Sequence, residues 1–141
     1  MNDFSLHERL AADTHVIADL ALCRVLLMND QRFPWLILVP RRAGIVEVSD
    51  LDAGDQVRLW QEATQLGSSF KAALGGDKLN LATLGNQVPQ LHFHVIVRYG
   101  DDAAWPGPVW GVGTPEPYAP AALDERRRLV TQLSDTLGVG H

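Results

Sequence analysis

Cysteine, positive charge and long apolar runs are all scarce in this chain of 141 residues, and each shortage removes a class of function. Cys23 is the only cysteine, which excludes an intrachain disulfide framework and a multi-cysteine zinc site. It stands in the apolar run Ala21-Leu22-Cys23-Arg24-Val25-Leu26-Leu27, so a half-buried structural thiol is expected. Twelve Lys and Arg face 17 Asp and Glu, and a formal net charge of -5 leaves no electrostatic footprint for duplex nucleic acid or an anionic membrane. The basic clusters Arg41-Arg42 and Arg126-Arg127-Arg128 read as solvated surface; a local basic site for a small phosphate stays open. No apolar run reaches the roughly 18 residues needed to span a bilayer. Met1-Asn2-Asp3-Phe4 has neither the basic region nor the apolar core of a signal peptide, so a cytoplasmic location is expected.

What is present is an ordinary globular composition, 46% hydrophobic and 21% charged, in a chain long enough for one domain with a real core. Ser5-Leu6-His7-Glu8 has the capping-box pattern and predicts a short helix from about Ser5 to Ala12. Three apolar stretches follow, Thr14 to Leu20, Leu22 to Met28 and Phe33 to Pro40, separated by short turn-forming pieces. They read as an antiparallel meander, with Pro34 near a strand start where a missing donor is tolerable.

From Asp52 to Leu74 the residues Val57, Trp60, Thr64, Gly67, Phe70 and Leu74 recur at steps of three or four, predicting a long helix with Trp60 in its core stripe. Gly75-Gly76 ends it. Lys78 to Leu84 and Leu91 to Tyr99 read as two further strands. The order predicts an α+β fold with one five-stranded antiparallel sheet, the long helix covering one face and the other face of the last strand free for chemistry. Gly100 to Pro120 is rich in Gly and Pro and carries Trp105, Trp110 and Tyr118, an irregular arm with Asp101-Asp102 as a solvated turn. Leu123, Val130, Leu133 and Leu137 support a final amphipathic helix, and no repeat or linker divides the chain. The expected organisation is a single domain over 1–141, with a core of about 5–110 and a C-terminal arm and helix over 111–141.

The stretch Gln90-Leu91-His92-Phe93-His94-Val95-Ile96 carries the chemistry. On a strand, Gln90, His92 and His94 share one face, while Leu91, Phe93, Val95 and Val97 form an apolar face for the core. On that pattern alone, two histidines in a solvated polar rim explain the sequence as well as a reaction site does. Metal binding lacks a third ligand, because Gln90 is a poor one and no Asp or Glu lies in the strand. A histidine nucleophile needs no metal. Its attacking nitrogen must keep a free lone pair, so the other nitrogen should donate to a nearby acceptor such as a backbone carbonyl. The second histidine, about 7 Å along the same face, can hold substrate oxygens or protonate a leaving group. His7, His15 and the terminal His141 are read as surface or structural positions.

At these residues the chain resembles the histidine triad (HIT) superfamily, whose signature is His-x-His-x-His followed by two apolar residues. The wider stretch from Lys78 to His94 resembles a bacterial branch with Gln in the first triad position. Phe33 to Pro40 resembles the family's strand ending in Val-Ile-Pro, and Trp105-Pro106-Gly107 resembles the Trp-Pro segment of its nucleoside phosphoramidase branch. The likeness covers roughly residues 5 to 110.

The resemblance implies a HIT-like fold and a hydrolase or nucleotidyl transferase acting at the α-phosphate of a nucleotide conjugate, without a cofactor. It implies His92 as nucleophile, His94 as phosphate and leaving-group contact, and Gln90 in a supporting place. Gly85, Asn86 and Gln87 fall where family members present donors to the phosphate, and Asn80 falls on the leaving-group side. Asn29 or Asp30 falls near the ribose, with Leu27 and Met28 at the base slot, while Trp105 either lines the site or anchors the arm. A homodimer acting on a small nucleotide is implied as well. Two departures stand out: Gln90 replaces the first histidine, and Trp35 stands where many members carry a further one. The alternative is a nucleotide-binding module with little catalysis.

Overall fold

The computed structural model describes residues 3–139, with side chains to Leu137; His141 lies outside the described residues. Strands β1 (Thr14–Asp19), β2 (Cys23–Met28) and β3 (Trp35–Pro40) form the expected meander. Helix α2 (Ala53–Leu74) and strands β4 (Lys78–Ala82) and β5 (Phe93–Arg98) follow, after a short α1 (Glu8–Asp13) at the start and before α3 (Pro120–Val139) at the end. The five strands are antiparallel in the order β1-β2-β3-β5-β4, so β5 is inserted between the meander and the edge strand β4.

Several boundaries differ from expectation. The Ser5 capping box is not used: His7 caps α1, its Nδ1 accepting the Arg9 N–H at 3.1 Å. Asp52 caps α2 by accepting from the Asp55 N–H, and Gly75 closes it in the left-handed region at φ 61, where a side chain would be strained. Strand β5 begins at Phe93, so Gln90, Leu91 and His92 form the extended approach to it rather than part of the ladder.

The buried stripe of α2 is Leu59, Glu62, Ala63, Leu66, Gly67 and Phe70. Trp60 is instead 57% exposed, its ring edge-on to Phe93, and Val57 is exposed too. The reason is Glu62: its carboxylate accepts the N–H groups of Leu22 and Cys23, both at 2.9 Å, and so belongs in the interior. Cys23 is fully buried rather than half-buried; burial, with the Glu62 carboxylate beside it, pushes the thiol well above its ordinary range.

One face of the sheet packs Val25, Leu27, Leu36, Leu38, Val95 and Val97 under α2 and α3. The opposite face is not left open as expected. Leu26, Trp35, Ile37, Val39 and Ile96 form a second core there, with Leu10 of α1 and Val109 of the irregular arm over it. Every residue of β3 and β5 is therefore buried.

The arm is tied down by polar contacts. Arg98, at the end of β5, pairs with Asp102 at 2.7 Å, donates to Asn80 Oδ1 and the Gly107 carbonyl, and stacks on Trp105. Asp102 is thus no solvated turn. The Arg98 guanidinium holds its carboxyl down at about 2. Farther along, Arg32 donates to the Val112 carbonyl, Gln31 N–H to the Glu116 carbonyl, and Tyr118 N–H to Asn29 Oδ1. No described helix is long and apolar enough to cross a membrane.

Candidate active site

His94 sits on the arm-side face of β5, opposite Ile37 of β3 and Ala82 of β4. His92 lies two residues earlier, and the rings approach with centroids 5.0 Å apart and planes at 73°. Both are buried, at 7% and 4% exposure, yet both border a cavity of about 280 Å³. Its walls are Arg9, Leu10 and Asp13 of α1, Met28 and Ile37 from the sheet, the loop Leu84–Val88, and Trp110 of the arm.

The hydrogen bonds define each imidazole differently. His92 Nδ1 lies 2.8 Å from the Gln90 carbonyl oxygen. A carbonyl only accepts, so Nδ1 carries the proton and Nε2 keeps a free lone pair. His94 Nδ1 lies 3.0 Å from Trp35 Nε1, buried between β3 and β5. An indole N–H only donates, so this Nδ1 accepts and the proton of His94 sits on Nε2. The pair thus offers one lone pair and one N–H donor. Burial, with His92 beside it, lowers His94 to about 3, so it stays neutral at physiological pH. Trp110 braces the arrangement, edge-on to His94 at 5.0 Å and to Trp35 at 5.9 Å.

Gly85, Asn86 and Gln87 do border this cavity, on a loop whose turn uses φ 71 at Gly85. Met28 borders it and also a neighbouring hollow shared with Asn29, Asp30, Trp35 and Pro115. Other residues singled out from the sequence lie elsewhere. Leu27 is fully buried under α2, because β2 turns it to the opposite face from the cavity. Asn80 gives its oxygen to Arg98. Asp30 is 2% exposed and accepts from Arg32 and the Glu116 N–H, holding the arm. Trp105 is 40% exposed on Arg98 and away from the cavity; Trp110 lines it instead.

The Gln90 side chain does not join the imidazoles. Its Oε1 accepts the His7 N–H at 2.8 Å and its Nε2 donates to the Ser5 carbonyl at 2.9 Å, clasping the segment that leads into α1. Gln90 therefore serves the site through its own carbonyl and by holding a wall of the cavity. Arg9, Asp13 and Trp110 were missed by the sequence reading. The first two form an i,i+4 charge pair that marks a helix face, whereas nothing local marks Trp110. Among the described residues no group of three or more His, Cys, Asp or Glu is placed to hold a metal ion.

An antiparallel five-stranded sheet under one long helix, with paired histidines at the start of the inserted strand, defines a class of proteins. The HIT domain family model matches residues 9–101, and the chain belongs to that family. Its architecture is the HIT fold: a histidine triad protein from Marinobacter aquaeolei VT8 superposes with a TM-score of 0.93 at 51% identity, covering 95% of this chain and 98% of that one. A histidine triad protein from Bradyrhizobium japonicum gives 0.91 at 44% identity over 93% and 98% of the two chains. One from Sinorhizobium meliloti 1021 gives 0.90 at 45% identity over 92% and 96%. No curated protein matches the chain.

Proposed function

We propose that the protein is a nucleotide hydrolase or nucleotidyl transferase that attacks an α-phosphate with His92 and passes through a nucleotidyl-histidine. The complementary pair carries this reading: a free Nε2 lone pair on His92, fixed by the Gln90 carbonyl, beside an Nε2–H donor on His94. An imidazole oriented in this way attacks without a metal or a separate base. The Nε2–H of His94 and the backbone of Gly85-Asn86-Gln87 supply donors to the phosphoryl oxygens as charge develops there. The nucleoside lies across Met28 into the hollow edged by Asn29, with the phosphates toward His92.

The same reading carries a cytoplasmic homodimer. Exposed Trp60 and Val57 on α2 and the free edge of β4 are the surfaces that support assembly, and sedimentation at micromolar concentration tests it. His92→Ala should lower turnover of nucleotide conjugates by at least about 1000-fold while AMP still binds. Wild-type protein mixed with substrate should release a burst of one leaving group per site. Equal turnover by the variant would sink the nucleophile, and AMP binding with no turnover of any conjugate would leave a binding module.

A further inference from the structure

The bond between Trp35 and His94 goes beyond holding a ring in place. The acceptor role it gives Nδ1 commits the one proton of His94 to Nε2, on the cavity side. A second proton could enter only at Nδ1, where it would face the indole N–H at 3.0 Å, donor against donor. The other groups around His94 give that proton no help. His92 points its own ring at it from the approach to β5, and Trp110 covers it edge-on from the arm. Across the cavity stand Arg9, a cation, and Asp13, which is more than half exposed and turned to Arg9 at 4.0 Å. The geometry supplies a hydrogen-bond donor for phosphoryl oxygens and a positive charge at the rim. It supplies no imidazolium to protonate a departing atom.

We propose that Trp35 is a positioning residue that holds the proton of His94 on Nε2 as a donor, and that the site is thereby selective for phosphoanhydrides over phosphoramidates. The inference rests on the nucleotidyl-transfer reading and names its substrate class. In the first step the Nε2 lone pair of His92 forms a bond to the α-phosphorus. The bond from phosphorus to the bridging oxygen breaks, and its electron pair leaves on that oxygen. A phosphate or nucleotide leaving group carries that pair as a stable anion and needs no proton, and Arg9 lies at the rim to meet its charge. In the second step a water oxygen attacks phosphorus, the N–P bond breaks, the pair returns to His92 Nε2, and the proton of the water passes to solvent. A phosphoramidate must instead expel nitrogen, whose electron pair has to be protonated as the bond breaks. His94 donates a hydrogen bond from Nε2 but keeps its proton throughout.

The test compares kcat/KM for a diadenosine polyphosphate and for an adenosine phosphoramidate with a simple alkylamine, together with nitrogen-15 spectra of the histidines. For wild-type protein the anhydride should be preferred by at least about 100-fold, the span a general acid usually supplies. His94 should show a protonated Nε2 and an unprotonated Nδ1 from pH 7 down to pH 5. Trp35→Phe should shrink the preference at least about tenfold and free the single proton of His94 to exchange between Nδ1 and Nε2, read as a mixed tautomer in the same spectra. Equal or reversed preference in wild type, or a protonated Nδ1 on His94, overturns the proposal, as does a Trp35→Phe variant that keeps both selectivity and tautomer. Loss of turnover on both substrates would overturn the nucleotidyl-transfer reading, and the selectivity with it. The wild-type spectra decide the tautomer even then and require no variant to fold.

Discussion

The two faces of the sheet are buried by different means. Under α2 and α3 the contacts are aliphatic and periodic, with Leu59, Ala63, Leu66 and Phe70 against Val25, Leu36, Val95 and Val97. Under α1 and the arm they are aromatic and polar: Trp35, Trp110 and Phe33, with Arg98 and Arg32 tying down irregular backbone. The irregular cover leaves a cavity, and the histidines stand in it. Stability and chemistry are thereby divided between the faces.

That division can be broken from either side. Asp102→Ala should have the largest effect, leaving Arg98 buried and unpaired at a cost of about 3–5 kcal/mol. Because the arm carries Trp110, turnover per folded molecule should fall as well; chemical denaturation and steady-state kinetics measure the two. Leu66→Ala on the helix face should cost about 2–5 kcal/mol and leave kcat of the folded fraction unchanged. A matching loss of kcat would show that the faces are coupled.

Gln90→Ala removes both bonds to the Ser5–His7 segment and should cost about 1–3 kcal/mol, with faster hydrogen exchange confined to α1. It should raise KM more than it lowers kcat, because the carbonyl holding His92 is retained. The smallest effect is an acid shift. Asp102 has its pKa lowered from 3.8 to about 2, so its ion pair contributes stability that is fully present above pH 3.8 and lost as pH falls through about 2. Asp102→Asn should lack that acid-dependent part of the loss, read as a flatter melting-temperature profile below pH 4.

The same contrast explains what the sequence discloses. The meander, the long helix and its glycine stop follow from period and turn chemistry that any window of the chain displays. The stripe of α2 keeps Gly67 and Phe70 but turns Leu59 and Ala63 inward in place of Trp60 and Thr64, because Glu62 looks like a surface residue until Leu22 and Cys23 offer it two N–H groups from a segment about 40 residues away. His92 and His94 are visible as an alternating pair. A backbone carbonyl holding the proton of His92 is expected of a nucleophile, whereas the opposite tautomer of His94 depends on an indole 59 residues away. The arm is the least visible part. Asp102, Asn29 and Asp30 read as turn or ligand residues, and their real partners, Arg98, Tyr118 and Glu116, become adjacent only once the arm has folded over the sheet.

The four tryptophans divide along these lines too, and that gives the molecule an optical use. Trp60 and Trp105 face solvent, while Trp35 and Trp110 meet edge-on within the histidine site. With the outer pair replaced by Phe, the remaining ultraviolet emission comes from two indoles in contact with His94 or its neighbour. Ligand entry, and any proton arriving on that imidazole, then registers as a change in fluorescence without a label attached.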